Sequence, residues 1–326
     1  MEQPGTHRPV LLREALAALQ CRPGDLVVDG TVGAGGHAEA LLLATEPGGR
    51  LLGIDRDASA LALARARLAQ FGERVRLEQA DHRALPEILD RLGLAPVDRI
   101  LLDLGVSSMQ LDDPERGFSL RQDGPLDMRM DRDHGGTTAA DLVNGLPEPA
   151  LRDLLARYGE EPHAARIARA VARERARAPF LRTLRLAEVV AAAVPAPARR
   201  AAAKRTAARP GGARVHPATR TFQALRIAIN GEIEGLPALL EGSIERLRPG
   251  GRLAVIAFHS LEDRAVKETF RSLAHRCVCP RGLPLCGCGR PDIVRSVGSG
   301  AAQVAEDERS ANPRSRSARL RAVERL

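Results

Sequence analysis

Acidic side chains recur in this sequence at the points where apolar runs end. Asp29 closes the run 26–28, and Asp55 and Asp103 close two later runs. Each run has the length and composition of a buried strand, and helical segments lie between them. Because the carboxyl ends of parallel strands meet at one edge of a sheet, we expect these carboxylates to converge on a single site.

A glycine-dense turn follows the first run, with Gly33, Gly35 and Gly36 just before a helix predicted from His37. Such a turn brings backbone N–H groups close to a ligand and presents the positive end of a helix to an anion. The acid Asp55 suits a ribose diol, because a carboxylate can accept hydrogen bonds from both hydroxyls. The glycine spacing alone is a weak signal. These features indicate a nucleoside cofactor and leave S-adenosylmethionine and NAD open.

The segments that alternate with helices predict an α/β protein with a mainly parallel sheet. A Pro-Gly-Gly turn introduces a fifth strand after a helix expected over 219–247, and two last strands are expected to pair as an antiparallel hairpin. That ending favours a methyltransferase-like sheet over a nicotinamide-binding one. The predicted strands cover residues 26–28, 50–55, 75–79, 97–103, 252–258, 292–297 and 317–323.

The alternation is interrupted between the fourth and fifth strands. Residues 106–136 predict a long loop without a periodic element, and residues 137–195 predict helices. Residues 195–217 predict a flexible basic linker. We therefore assign 1–110 and 218–326 to the cofactor-binding domain and 111–217 to an inserted, mainly helical basic domain that recognises the substrate.

Positive charge is concentrated in one part of the chain. Residues 151–226 carry 17 Lys and Arg against 5 Asp and Glu, a net charge of +12, whereas the whole chain carries +8. A solvated arginine-rich surface is one interpretation, and a phosphate-binding surface is the one we favour. No apolar run approaches membrane length and no leader segment is apparent, so we expect a cytoplasmic protein without a membrane partner.

Longer motifs, taken together, are far more specific than any glycine turn. On these motifs the chain resembles the bacterial ribosomal RNA small subunit methyltransferase H (MraW) family, which methylates N4 of a cytidine in the decoding centre of 16S rRNA. The matching stretches are 7–12, 29–37, 53–57, 101–108, 110–113, 116–119, 123–131, 158–161, 216–226, 258–264 and 312–318.

The resemblance implies a Rossmann-like class I methyltransferase fold with S-adenosylmethionine as methyl donor. It implies 16S rRNA or the small ribosomal subunit as partner and leaves the oligomeric state open, a homodimer included. The strand ends independently indicate Asp55, Asp103 and, after the strand 75–79, Asp81 or His82, whereas Gln110 comes from the resemblance alone. The implied cofactor residues are Gly35, Gly36, His37, Asp55, His82, Asp103 and Gln110.

Methylation of a cytosine amine needs in-line positioning and an acceptor for an amine proton, because the nitrogen lone pair is delocalised into the ring. We hypothesise that Asp103 is this acceptor or orients the cofactor, with Ser107 and Ser108 lining the base pocket. His259 is either a substrate contact or a buried histidine satisfied by backbone. Each of four further residues contacts RNA, orders a loop or forms a structural ion pair: Arg116, Asp127, Arg129 and Arg220.

Four cysteines form a compact group at Cys277, Cys279, Cys286 and Cys288. In a reducing compartment this group favours a structural zinc ion over disulfides, although Cys-x-Cys spacing is less typical than Cys-x-x-Cys, so a metal-free group also stays open. Two other functions remain alternatives: a nicotinamide-dependent oxidoreductase, and a cofactor-sensing RNA-binding module without turnover.

Overall fold

The computed structural model describes residues 9–133, 135–198, 216–276, 279 and 287–326. The chain forms two compact units. The first, here called the sheet unit, comprises Met1–Gly105 and Ile233–Leu326. The second, the helical unit, comprises Val106–Glu232.

The sheet unit contains seven strands within the described residues, in the order β3-β2-β1-β4-β5-β7-β6. Its strands are β1 (Leu26–Asp29), β2 (Arg50–Asp55), β3 (Val75–Gln79), β4 (Val97–Asp103), β5 (Leu247–Ala257), β6 (Val294–Gln303) and β7 (Arg319–Arg325). Its helices are α1 (Leu12–Leu19), α2 (Gly36–Ala44), α3 (Ala58–Leu68), α4 (Leu85–Leu92), α11 (Leu236–Glu245), α12 (Ser260–Ala274) and α13 (Glu306–Ala311).

Strands β1 to β5 pair in parallel, and β7 joins antiparallel to both β5 and β6. Neighbouring residues of one strand contribute to two different apolar clusters: Val27 and Leu101 belong to one, and Val28 and Ile100 to the other. Both faces of the central strands are thus covered, as the continuous apolar runs predict. The predicted Rossmann-like class I methyltransferase fold with an antiparallel ending is confirmed.

The helical unit contains α5 (Ser108–Asp112), α6 (Ala139–Gly145), α7 (Glu148–Gly159), α8 (Ala164–Arg175), α9 (Thr183–Ala193) and α10 (Thr219–Asn230). Its core is built around Leu155, Ile167, Phe180 and Leu225, each fully buried. It is therefore a helical body with its own hydrophobic core.

The segment expected to be a loop without periodic structure is partly helical, since it contains α5. It is also ordered by burial: Met128 and Met130 belong to the core of the helical unit. Asn230 fixes them, because its Oδ1 accepts from Met130 N at 2.9 Å and its Nδ2 donates to Met128 O at 2.9 Å. Such long-range contacts leave no trace in local periodicity.

The single helix expected over 219–247 is wrong, because two helices occupy this range. Gly231 (φ 59°) ends α10 and Gly235 (φ 82°) precedes α11, both in the left-handed conformation that glycine adopts without strain.

The structure divides the chain at 105/106 and 232/233, whereas we predicted 110/111 and 217/218. Helix α10 packs against α7 so closely that a Cβ at Gly159 would lie 2.7 Å from the Arg220 carbonyl oxygen.

Residues 199–215, most of the predicted basic linker, lie outside the described residues. Among the described residues, no helix has both the length and the apolar character needed to cross a bilayer.

Candidate functional site

The carboxyl edge of the parallel strands in the sheet unit carries the acids singled out in the sequence. Asp29 ends β1, Asp55 ends β2 and Asp103 ends β4. Since the strand order places β1 between β2 and β4, these three acids come from three adjacent strands. We call them the acid rim. Ligands of such sheets bind at this edge.

The glycine turn connects β1 to α2 beside the acid rim. Gly33 (φ 52°) and Gly35 (φ 83°) adopt left-handed conformations, and helix α2 begins at Gly36. A side chain at Gly36 would clash, since its Cβ would lie 2.6 Å from Cγ of Pro9. The turn therefore places the start of a helix, whose first N–H groups have no acceptor within the helix, beside the acid rim, as an anion-binding cradle requires.

Asp55 ties the end of β2 to this turn. Its Oδ2 accepts a hydrogen bond from Gly33 N at 2.9 Å, and its Oδ1 accepts one from Asp57 N at 2.9 Å. Burial raises the pKa of Asp55, while these two hydrogen bonds act against the rise. Each carboxylate oxygen retains a second lone pair, so the side chain can still accept from ligand hydroxyls.

Asp103 is held by backbone and faces a histidine. Its N–H donates to Oγ1 of Thr31 at 2.6 Å, and its Oδ2 lies 3.6 Å from Nδ1 of His37. His37 Nε2 lies 3.0 Å from the Val10 carbonyl oxygen. Because a carbonyl oxygen only accepts, Nε2 carries a hydrogen and Nδ1 is the nitrogen directed at Asp103.

Two buried oxygens of the acid rim have no hydrogen-bond partner among the described residues, namely Asp29 Oδ2 and Asp103 Oδ1. Asp29 is 1% exposed, and its Oδ1 accepts from Thr31 N at 3.1 Å. A buried carboxylate oxygen without a donor is costly, so a cationic ligand would compensate it. This donor set fits a ligand that brings positive charge and ribose hydroxyls to the same edge.

His82 follows β3 at the same edge of the sheet. Its neighbour Asp81 accepts from Arg83 N at 2.9 Å and from the Arg83 side chain, and it lies 3.7 Å from Arg56. Burial acts to raise the pKa of Asp81, but these arginine contacts outweigh it and hold the pKa below its ordinary value. Asp81 is thus held in ion pairs with Arg83 and Arg56. His82, the proposed cofactor residue, lies next to it at the end of β3.

His259 follows β5 and caps helix α12. Its Nδ1 accepts from Glu262 N at 3.3 Å, and Glu262 Oε2 accepts from Phe258 N at 2.8 Å. Glu262 Oε1 lies 3.2 Å from His259 Nε2. Of the two interpretations from the sequence, these contacts favour the structural one, in which neighbouring groups satisfy a buried histidine.

Sequence reasoning missed Glu262 and Thr31. Glu262 is 1% exposed and forms a reciprocal capping box with His259. A polar residue followed three positions later by Glu signals a helix start, so the pattern 259–262 was available. Thr31 connects Asp29 and Asp103 through its N–H and hydroxyl, and nothing in the sequence marks that role.

The remaining candidates lie in the helical unit. Ser107 and Gln110 form a capping box on α5, in which Ser107 N donates to Gln110 Oε1 at 3.1 Å and Gln110 N donates to Ser107 Oγ at 3.3 Å. Ser108 begins that helix. Arg220 donates to the carbonyl oxygen of Glu160, which ties α10 to the end of α7.

The other charged residues proposed for this region make structural contacts. Asp127 pairs with Arg129 at 2.8 Å, which favours the ion-pair interpretation of both. Arg116 donates to the Met130 carbonyl oxygen at 2.7 Å and so helps to order the loop. In the cysteine group, Cys277 and Cys286 lie outside the described residues, so the four-thiol zinc site stays a prediction.

The fold and the acid rim define a class of protein: a class I methyltransferase, with a glycine turn after β1 and an acid after β2. A model of the MraW methylase family matches residues 5–326. The chain belongs to the MraW methylase family.

Known relatives resemble the chain over nearly its whole length. Proteins named "Ribosomal RNA small subunit methyltransferase H" match from Syntrophobacter fumaroxidans (53% identity, 98% of this chain and 96% of that protein) and Syntrophus aciditrophicus (49%, 98% and 98%). A protein of the same name from Symbiobacterium thermophilum is 49% identical over 98% of this chain and 96% of its own length. A putative rRNA-methylase from Clostridium thermocellum matches in structure with a TM-score of 0.44 at 13% identity, covering 98% of this chain and 100% of that one.

Proposed function

We propose that the protein transfers a methyl group from S-adenosylmethionine to the exocyclic N4 amine of a cytidine in the decoding region of 16S rRNA. Support comes from the family, from the names of relatives about 50% identical, and from the motifs that carry the resemblance. The observation that carries the proposal is the pair of buried oxygens without donors at the ends of β1 and β4. They suit a sulfonium cofactor better than a neutral one.

The chain's own groups match the parts of this cofactor. Asp55 would accept from the ribose hydroxyls, and the start of α2 at Gly35 and Gly36 would receive the methionine carboxylate. His37, His82 and Asp103 complete the proposed set in the sheet unit, and Gln110 enters it through the resemblance alone. When bound, the sulfonium supplies an electrophilic methyl group.

Asp103 is the proposed proton acceptor. Its side chain keeps 24% of its surface exposed although Oδ1 is enclosed, so it can meet a substrate while remaining largely desolvated. A desolvated carboxylate is a stronger base than one in water. Ser107, Ser108, Arg220 and His259 are the proposed substrate contacts.

We assign binding of the rRNA backbone to the helical unit, on an exposed row of arginines along α8. Arg166, Arg169 and Arg173 are spaced for one helix face, and Arg177 follows just beyond the helix. Ile167, Ala168 and Val171 occupy the opposite, buried face. We call these four arginines the arginine face.

The arginine face holds more positive charge than its neighbours neutralise. Side chains of Arg169, Arg173 and Arg177 are 74%, 65% and 71% exposed. Arg173 and Arg177 share Glu174, and Arg169 lies 3.8 Å from Glu148. Exposed guanidinium groups with so few counterions suit a phosphate backbone.

The direct test is mass analysis of nucleosides from 16S rRNA of a strain that lacks this gene. We expect a cytidine of the decoding region to lose its N4-methyl group, and the wild-type gene to restore it. A plasmid carrying Asp103→Asn should restore at most a small fraction. Unchanged N4 methylation in the deletion strain would refute the proposed reaction.

An NADH titration tests the oxidoreductase alternative. Stabilisation by nicotinamide cofactor rather than S-adenosylmethionine would favour it, whereas the antiparallel β5·β7·β6 ending and the family favour the methyltransferase.

A further inference from the structure

We propose that Asp29 and Asp103 form a carboxylate pair that shares one proton, with Asp29 as the positioning residue that prepares Asp103 to accept the proton of the target amine. This inference rests on the proposed function and adds a residue that the resemblance does not assign. Its basis is the geometry of the two strand ends and the hydrogen bonds of Thr31.

The parallel register brings the two carboxylates to one side of the sheet. Asp29 is paired with Leu101, and Asp103 lies two residues further along β4, so both side chains leave the sheet on the same face. Thr31 contacts both residues, because its N–H donates to the carboxylate oxygen Oδ1 of Asp29 and its Oγ1 accepts from the backbone N–H of Asp103. Each carboxylate retains one enclosed oxygen without a donor in the described residues.

Two such groups cannot both be ionised at ordinary cost. Desolvation disfavours each negative charge, and the charges repel each other. Burial raises the pKa of Asp29 to about 7, with Asp55 adding to the rise. Burial likewise raises the pKa of Asp103 well above its ordinary value, and Asp29 and then Glu262 add to it. One proton bound by either carboxylate relieves both penalties, and two groups that interact in this way titrate as a pair.

Titratable groups from three neighbouring elements face the pair. Asp55 of β2 and Glu262 of α12 add negative charge. The third group is His37 of α2, whose Nδ1 lies 3.6 Å from Asp103 Oδ2. The net excess of negative charge means that a bound cation displaces the shared proton. Asp103 is then ionised when the substrate arrives.

The transfer balances with Asp103 as acceptor. The amine lone pair forms the new N–C bond while the C–S pair returns to sulfur, which becomes a neutral thioether. The N–H pair returns to nitrogen, and the released proton moves to an oxygen of Asp103. Asp29 touches neither reactant; it sets the proton affinity of its neighbour.

The test begins with the protein alone. Carboxyl ¹³C NMR of the cofactor-free protein should show Asp29 and Asp103 titrating in a coupled, two-step manner. In Asp29→Asn, the titration of Asp103 should move down by about one pH unit or more, because a neighbouring negative charge is lost. In the matched control Asp90→Asn, on α4 and paired with Arg246, neither titration should move.

A second readout is the number of protons released when S-adenosylmethionine binds, measured by calorimetry in buffers of different ionisation enthalpy. Near neutral pH we expect about one proton from the wild-type protein and close to none from Asp29→Asn. The acid limb of kcat/KM for S-adenosylmethionine against pH, which reports the free enzyme, should shift down with the NMR titration, whereas a merely structural role would lower kcat/KM at all pH values alike.

If Asp29→Asn does not fold, the reciprocal variant Asp103→Asn gives the same test, since the titration of Asp29 must then move to lower pH. Independent titrations in either variant, or an unchanged proton count, would overturn the shared proton. Absence of rRNA methylation would instead refute the proposed function, because neither the NMR titration nor the proton count depends on turnover.

Discussion

The acid rim of the sheet unit and the arginine face of the helical unit place charge in opposite ways. Asp29 is buried and Asp103 has one enclosed oxygen, and burial shifts both pKa values upward. The side chains of the arginine face are mostly exposed to water, where an ionised group pays little desolvation free energy. Buried charge is expensive and is retained where geometry must be exact, whereas solvated charge acts through number and field. Single substitutions should therefore have large effects at the acid rim, whereas at the arginine face only combined substitutions should have a clear effect.

The largest effect expected from this difference is on stability against pH. The folded-state pKa of Asp29, about 7, lies above its ordinary value of 3.8. Its contribution to stability is thus fully present below about pH 4 and is lost as pH rises through 7. Urea unfolding of the cofactor-free protein should show that the free energy of unfolding of Asp29→Asn increases relative to that of wild type as pH rises, by up to about 4 kcal/mol at pH 8.

The control for this series is Asp90→Asn. The hydrogen bond from Arg246 lowers the pKa of Asp90, so that group stays ionised across the whole interval and its removal should shift stability equally at every pH from 5 to 8. Parallel curves for wild type and Asp29→Asn would contradict the burial argument.

A smaller, distributed effect is expected at the arginine face. Replacing Arg166, Arg169 and Arg173 together by alanine should weaken rRNA binding and reduce the slope of log affinity against log salt by about 2 to 3, since each phosphate contact contributes about 0.7 to 0.9. Filter binding of a 16S rRNA fragment across a salt series measures this slope.

The matched control replaces three exposed arginines of the sheet unit, Arg65, Arg91 and Arg271. If this set lowers the slope as much as the α8 set does, the arginine face has no special role. Affinity for S-adenosylmethionine should be unchanged in both triple variants.

Sequence reasoning reached the parallel strands and their terminal acids because both are local. Apolar runs that end in an acid report the strand and its ligand edge together, as at Asp29, Asp55 and Asp103. The N-cap of α3 at Asp57 is local in the same sense, since its side chain accepts from Ser59 N two residues on.

The contacts that sequence reasoning missed are those between distant residues. Met130 and Asn230 meet across 100 positions, and this contact turns an expected loop into part of a core. Thr31 reaches Asp103 across 72 positions. The break between α10 and α11 is a different case, because it is visible locally as Gly231 and Gly235, which adopt the left-handed conformation at the two helix ends.

The central claim is that the acid rim, and not the arginine face, holds the cofactor. Calorimetric titration of S-adenosylmethionine into wild type, Asp55→Ala and the α8 triple variant tests it most directly, with thermal melting to confirm that each is folded. We expect one site in wild type, the same site in the triple variant, and an affinity about 10- to 100-fold lower in Asp55→Ala, since hydrogen bonds to a charged group are lost. Binding that survives Asp55→Ala intact but disappears with the arginines would contradict the claim.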